Sequence, residues 1–265
     1  MPVSQPAISA PELILSLVDS AADPALSAGY FVTAGELFGI DSPTTRVALT
    51  RLTKKGVLQQ LERGVYGLGA SGSTLHRTVV QWQRVEAALM QWSGGWLMVL
   101  VAHLPRSRTD VRRRDRALHL DGYAKTSTGV WVRPANLRGG LPAAHRRLTD
   151  YGLDDGAIVT EVTSVWPLRA FETETLWDTA ALERGYRQHI AELAHSTGTL
   201  TGLGEDDAAR ETLLLGRRVT RAILTDPLLP AEMVDADLRS RMIRDMRDYD
   251  RLGKRCWRTF YRLHG

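Results

Sequence analysis

Residues 33–68 read TAGELFGIDSPTTRVALTRLTKKGVLQQLERGVYGL, and the order of caps and breakers along them decides the fold of the N-terminal region. Thr33 and Glu36 have capping-box spacing and open a short helix through Leu37 and Phe38. Gly39-Ile40-Asp41 follows as a tight turn whose glycine can take positive φ. Ser42 caps the next helix, with Pro43 at the first helical position, where no amide donor is lost. That helix runs to about Lys55, and Gly56 terminates it in the left-handed region. Thr45, Ala48, Leu49 and Leu52 fall on one side of it, and Thr44, Arg46, Val47, Thr50, Arg51 and Lys54 are left more exposed. Residues 57–61 and 65–68, joined by Glu62-Arg63-Gly64, read as a small hairpin.

Upstream, Ser9 and Glu12 form another capping box with Pro11 in the first turn, and Leu13, Ile14, Leu17 and Val18 make one apolar stripe. Asp23-Pro24 and Gly29 break the chain, and Tyr30-Phe31-Val32 reads as a short strand. Helix, short helix, tight turn, capped helix and hairpin together describe a winged helix-turn-helix. Such a motif lays its second helix in the major groove, where the early residues reach base edges. Arg46 suits a bidentate contact to guanine. Ser42, Thr44 and Lys54 suit phosphate positioning, and Arg63 at the wing tip suits a neighbouring groove or phosphate. Thr45, Thr50 and Arg51 complete the candidate DNA-binding set. The same scaffold used for protein contacts, as an adaptor, is the competing reading of this region.

Charge points the same way. The net charge of the 265 residues is only +4, yet residues 40–64 carry Arg46, Arg51, Lys54, Lys55 and Arg63 against Asp41 and Glu62. A local basic surface on a near-neutral region implies a polyanion partner. Apolar residues at 43% and charged residues at 24% match an ordinary globular chain rather than a disordered or fibrous one. The longest strongly apolar run, residues 96–104, is about half of what a membrane-spanning helix needs. No basic, then apolar, then small-residue leader opens the chain, so a cytoplasmic location without membrane attachment is expected. The lone Cys256 excludes an intramolecular disulfide framework and a multi-cysteine metal site.

Gly67-Leu68-Gly69-Ala70-Ser71-Gly72 fits a dinucleotide-binding fingerprint by spacing. That fold needs a buried parallel strand before the motif and a strand-end acid about 20 residues later. Here the preceding strand is the short arm of a wing, and Glu86 lies inside a helical pattern, so the glycines read as an exit from the first domain.

Leu75, Val79, Trp82, Val85, Leu89 and Trp92 recur at helical steps and predict a long linking helix, ended by Ser93-Gly94-Gly95. Beyond it the patterns predict a strand at 96–104, a helix at 107–120, strands at 122–125 and 130–133 around a turn at 127–129, a helix at 142–151 and a strand at 157–163. This βαββαβ order is ferredoxin-like, a scaffold that names no function. Arg106, Arg108, Arg112, Arg113, Arg114 and Arg116 crowd its first helix. They read either as a solvated face or as a site for phosphates of DNA or of a nucleotide-bearing effector. Arg106, Arg108, Arg112 and Trp131 are the candidate effector contacts, and the pairs Trp92/Trp96 and Trp131/Trp166 either line a pocket or belong to the core. Helices are expected at 176–194, 207–222 and 236–263, with Asp226-Pro227-Leu228-Leu229-Pro230 a rigid break between the last two. The expectation is an α+β protein with a winged helix over 1–72, a linker over 73–93, a ferredoxin-like domain over 94–168 and a helical domain over 169–265.

In this order the motifs resemble the PaaX family of transcriptional repressors. The carrying residues are Leu13-Ile14-Leu15-Ser16-Leu17, then 31–40, then Thr45-Arg46-Val47-Ala48-Leu49-Thr50-Arg51-Leu52 with Gly56-Val57-Leu58, and Arg63-Gly64-Val65-Tyr66 in the wing. Trp92-Ser93-Gly94-Gly95-Trp96-Leu97, Gly129-Val130-Trp131-Val132-Arg133-Pro134 and Asp226-Pro227-Leu228-Leu229-Pro230 extend the similarity over nearly the whole chain. The resemblance implies a homodimeric repressor of a catabolic operon, bound to double-stranded operator DNA. It also implies an aromatic inducer, phenylacetyl-coenzyme A or another aromatic acyl-CoA, acting as an effector and not as a cofactor. The family's middle domain resembles small nucleases with a metal-binding Asp at the end of the first strand. Here that strand ends Val101-Ala102-His103-Leu104, without a carboxylate.

The competing class is an enzyme acting on a nucleotide or coenzyme A substrate, supported by the arginine cluster and the glycine motif. Against it, the seven histidines show no metal-ligand spacing on one helix face and no G-x-S-x-G elbow exists. Cys256 beside Arg255 has no local His, and a buried, inert cysteine is the simpler reading.

Overall fold

The computed structural model describes residues 8–20, 25–72, 81–105, 107–165 and 173–264. The protein is a mixed helix-and-sheet structure with two small antiparallel sheets. Its chain divides into two compact units. The first comprises Met1–Gln83, Ala191–Thr220 and Arg244–Gly265, and the second Arg84–Ile190 and Arg221–Ile243. Among the described residues, no helix is long and apolar enough to cross a membrane.

In the first unit, α1 (Ala10–Ser20) starts at the expected capping box. The Ser9 amide and hydroxyl both donate to Glu12 Oε2, at 3.1 and 2.7 Å. Its stripe of Leu13, Ile14, Leu17 and Val18 is buried. The next segment departs from expectation. Tyr30-Phe31-Val32 is not a strand but lies inside α2 (Ala28–Leu37), and the helix opens five residues before Thr33. The cause is Ser27, whose hydroxyl accepts from the Tyr30 amide at 3.0 Å. Tyr30, Phe31 and Ala34 then share one buried face at helical spacing.

Helix α3 (Ser42–Lys54) is capped by Asp41 rather than Ser42, since the Asp41 carboxylate accepts from the Thr44 amide at 2.7 Å. Ser42 and Pro43 occupy the first two helical positions, where free amides are not needed. Gly56, at φ +67°, ends the helix turn as expected. The hairpin pairs β2 (Leu58–Glu62) with β3 (Val65–Leu68), and β1 (Leu26–Ser27) adds a third strand on the other side of β3. Gly69 and Gly72 sit against the backbone of residues 56–58. A Cβ would lie 2.3 Å from Gly56 O at the first and 2.0 Å from Val57 O at the second. These glycines serve close packing behind the hairpin, not phosphate binding.

The described part of the expected linking helix, Gln81–Ala88, is a 3₁₀ turn, and the chain then runs extended, with Leu89 bridging Leu137. Leu75 and Val79 lie outside the described residues. The second unit contains β4 (Trp96–Leu100), α4 (Arg108–Leu120), β5 (Ala124–Lys125), β6 (Trp131–Pro134), α5 (Gly140–Asp150) and β7 (Ile158–Val162). Its sheet order is β5-β6-β4-β7 with every pair antiparallel. Alternation along β4 sends Leu97 and Val99 toward Ala117 and Leu118 of α4 and Ala144 and Leu148 of α5.

A short helix α6 (Thr173–Leu176) precedes three long ones, α7 (Thr179–Thr199), α8 (Glu205–Leu224) and α9 (Ala236–His264). They do not make a separate domain over 169–265, because each contributes residues to both units. Within the first unit, Ala209 and Leu213 of α8 and Trp257 and Phe260 of α9 join the core formed by α1, α2 and α3. Phe38 stacks on Trp257 at 6.5 Å, and Arg210 donates to Leu37 O at 2.7 and 3.0 Å. Residues 1–72 alone therefore leave their own core open.

Candidate functional site

Helix α3 has a buried side and a basic side. Thr45, Ala48, Leu49 and Leu52 are buried, and Thr45 is only 1% exposed. The Thr45 hydroxyl donates to Asp41 O at 3.2 Å and lies over Gly35, where a Cβ would come within 2.6 Å of it. Thr45 is thus a packing residue between α2 and α3, and it leaves the candidate DNA-contact set. Helical spacing explains the correction: Thr45 shares the side of Ala48, Leu49 and Leu52, and the whole of that side is buried. Ser42 is half-buried, while Thr44, Arg46, Thr50, Arg51, Lys54 and Arg63 are exposed.

These side chains are organised locally. Arg46 Nε donates to the Ser42 hydroxyl at 3.3 Å, and the Thr50 hydroxyl donates to Arg46 O at 3.0 Å. Hydrogen bonding by Thr44, through its side chain first and its amide second, holds the Asp41 carboxyl below its usual range. Among the described residues, Arg46, Arg51, Lys54, Lys55 and Arg63 have no carboxylate partner. Several other cations of the same unit are paired: Arg217 with Glu12, Arg218 with Glu192, Arg251 with Asp248 and Lys254 with Asp250. The basic face of α3 and the Arg63-Gly64 turn is therefore open to an external anion.

The arginines of α4 behave differently from one another. Arg114 is 3% exposed and donates to Asp154 at 2.9 Å and to Pro105 O at 3.1 Å. Arg113 also pairs with Asp154. Burial pushes the Asp154 carboxyl up, but the hydrogen bonds and charges of Arg114 and Arg113 outweigh it and hold the group below its ordinary range. Arg108 is exposed, and Arg106 lies outside the described residues. Arg112 and Arg116 border a cavity of about 880 Å³ within the second unit. Its walls are largely apolar and include Tyr123, Trp177, Leu182, Tyr186 and Pro227.

Of the candidate effector contacts, therefore, Arg112 lines this cavity and Trp131 does not. Trp131 is 1% exposed, packed under the edge of His119 at 4.9 Å and beneath Lys125 at 5.6 Å. It belongs to the core, because its strand position faces α4 and α5. Of the tryptophan pairs, Trp92 meets Trp96 edge-on at 5.4 Å and Trp96 stacks on Trp177 at 6.4 Å, while Trp166 lies outside the described residues.

Two buried polar knots hold the walls around this cavity. Arg147 grips Asp121 through two bonds, at 2.6 and 3.1 Å, and buried Arg133 donates to Asp121 O and faces the Tyr123 ring. The second knot is the turn after α8. Asp226 accepts from the Leu228 amide at 2.7 Å and from the Tyr186 hydroxyl, and lies 4.0 Å from buried Arg239. Leu228 takes φ +54°, the left-handed region that a leucine rarely adopts, and Asn136 Nδ2 donates to its carbonyl at 2.7 Å. Burial raises the Asp226 carboxyl despite these partners. Burial also raises the Cys256 thiol, against the opposing charge of Arg255, which suits a packing cysteine and not a thiolate nucleophile.

Sequence reasoning did not find Tyr123, Trp177, Tyr186 or Asp226 as neighbours, since Tyr186 and Asp226 meet only through tertiary structure. The one local signal was Gly185, a glycine inside a helical pattern.

No family model and no curated protein matches the chain. Among solved structures, the uncharacterized protein Rv0674 from Mycobacterium tuberculosis is similar, with a TM-score of 0.63 and 21% identity over 94% of this chain and 98% of that one. At that identity the likeness shows a shared fold and nothing of activity.

Proposed function

We propose that the protein is a ligand-responsive DNA-binding transcriptional repressor. In this reading α1 to α3 with the hairpin act as a winged helix-turn-helix, and the sheet of the second unit with α4 and α5 is a ferredoxin-like effector domain. The observation that carries the proposal is the one-sided face of Arg46, Arg51 and Lys54, with Arg63 at the hairpin turn, exposed and without carboxylate partners among the described residues. Arg46, in the second turn of α3, reads a base edge, where a bidentate contact to guanine is the commonest specific pairing. Thr44, Thr50, Arg51 and Lys54 hold phosphates, and Arg63 reaches the flanking backbone. A homodimer would present two such helices to half-sites one or more helical turns apart on a palindromic operator. A ligand that prefers a non-binding arrangement releases the DNA, by no more than its differential affinity for the two arrangements. The resemblance to PaaX-type repressors supports the same reading and points to an aromatic inducer.

Fluorescence anisotropy of the protein on its own upstream intergenic DNA, with competitor DNA and at two salt concentrations, tests the proposal. Selective binding that weakens with salt is the expected result. Absence of selective binding there and on a genomic fragment pool overturns it in favour of a winged-helix adaptor or an enzyme.

A further inference from the structure

The cavity beside α4 has a floor and a mouth of different chemistry. Its volume of about 880 Å³ lies in the range of pockets that hold small organic ligands. Three buried aromatic residues, Tyr123, Trp177 and Tyr186, form much of the floor. Arg112 and Arg116 stand one helical turn apart at the exposed rim, and neither has a carboxylate partner among the described residues. Three carboxylates also border the space, and one of them, Asp226, is occupied by the Tyr186 hydroxyl and the Leu228 amide. Asp178 is occupied in accepting the Ala181 amide at 2.7 Å, and Asp115 lies on α4 between the two arginines. Gly185 supplies an independent observation. It sits inside α7, where a glycine weakens a helix, and nothing lies within 4 Å of the place its Cβ would take. Because Gly185 lines the cavity, the missing side chain is cavity volume.

We infer that this cavity binds a small amphipathic acid: an aromatic body against Tyr123, Trp177 and Tyr186, and one carboxylate between Arg112 and Arg116. The planar guanidinium fork matches a carboxylate, and apolar walls with aromatic rings match a ring-bearing body. A coenzyme A thioester fits less well. Its several phosphates and long polar chain would face walls that offer them few partners. The ligand is thus the free acid and not its thioester. Release of DNA by that acid rests on the repressor reading; binding in the cavity does not.

The test uses 1-anilinonaphthalene-8-sulfonate, an aromatic monoanion whose emission rises in apolar sites, bound to the full-length protein. Saturable binding is expected, displaced by 1-naphthylacetate and about tenfold more weakly by the neutral 1-naphthylacetamide, with coenzyme A ineffective. Gly185→Leu fills the cavity, and it should weaken dye and acid binding by about tenfold or more while the unfolding midpoint is kept or raised. The paired change Arg112→Ala and Arg116→Ala should weaken the acid and remove its advantage over the amide. Equal displacement by acid and amide overturns the carboxylate assignment. Dye binding unchanged in Gly185→Leu overturns the cavity itself, and preferential displacement by phenylacetyl-coenzyme A overturns the ligand class. DNA anisotropy in parallel separates the two proposals. Acid binding without loss of DNA affinity leaves the cavity standing and removes its role in release. Selective DNA binding with a dye signal indifferent to every variant removes the cavity and leaves the repressor.

Discussion

Helices α3 and α4 are both basic, with two arginines and a lysine on the first and five arginines on the second, and the folded protein places these charges in different ways. On α3 the cations Arg46, Arg51 and Lys54 stand on the exposed side without carboxylate partners among the described residues. On α4 two of the arginines are consumed by a single carboxylate, Asp154, contributed from the loop after α5. Arg108, Arg112 and Arg116 have no carboxylate partner among the described residues, and the last two border a cavity. A run of like charges therefore names a helix face, and the partners brought from elsewhere in the chain decide whether that face is a brace, a ligand contact or an open binding surface.

The sharpest break of this comparison is at the brace. Arg114→Met removes the buried partner of Asp154 and the bond to Pro105 O while Arg113 still pairs with the carboxylate, and it should destabilise the protein by about 1.5–3 kcal/mol. Urea or thermal unfolding reads this, and a loss under 1 kcal/mol would mean that Arg114 is no more structural than the arginines of α3. Next in size is Arg46→Ala. It should weaken binding to the specific operator by about 1–3 kcal/mol and relax preference at one base position. Its unfolding midpoint should hold, since substitution of an exposed residue without a carboxylate partner changes stability by about 0.5 kcal/mol or less. A fall in stability matching the fall in affinity would erase the distinction between the two helices.

Lys54→Ala has a smaller and more uniform expected effect. Specific and non-specific DNA should both bind more weakly, and the slope of log affinity against log salt should shrink by about 1. The smallest effect is the pH dependence at Asp154. Because its folded carboxyl is held below the ordinary range, the stability it contributes is complete above the unfolded value, near pH 4, and is lost as pH falls through the folded value. Unfolding measured from pH 6 down to pH 3 should show this acid loss in the native protein and a shallower one in Arg114→Met.

Much of the N-terminal fold was legible because its signals are local. The Ser9–Glu12 capping box, the φ-positive glycines at 39, 56 and 64 and the apolar face of α3 each act within a few residues. The error over Tyr30-Phe31-Val32 came from ranking β-prone residues above a cap three residues upstream, Ser27, that the pattern did not single out. Thr45 leaves the candidate contacts because it shares the buried side of Ala48, Leu49 and Leu52. In the second unit the strand and helix order could be read, since alternation and caps set it, and the observed elements lie close to the expected ones.

What the sequence could not supply is where its charges and rings meet. Asp154 finds Arg114, Asp226 finds Tyr186, and Trp257 closes the core of α1 to α3, all across long stretches of chain. The residues that the PaaX resemblance singles out at 129–134 and 226–230 acquire their physical meaning in this way. Arg133 is a buried cation held by Asp121, and Asp226 and Leu228 form a strained, hydrogen-bonded wall. Caps, turn glycines and periodic apolar faces are properties of a few consecutive residues, and so the sequence alone determined α1, α3, the hairpin and the basic side of α3. Pairing, burial and cavity volume are properties of segments distant in the chain, and so only the tertiary structure decided which cations are free, which are locked, and that an apolar cavity lies beside α4.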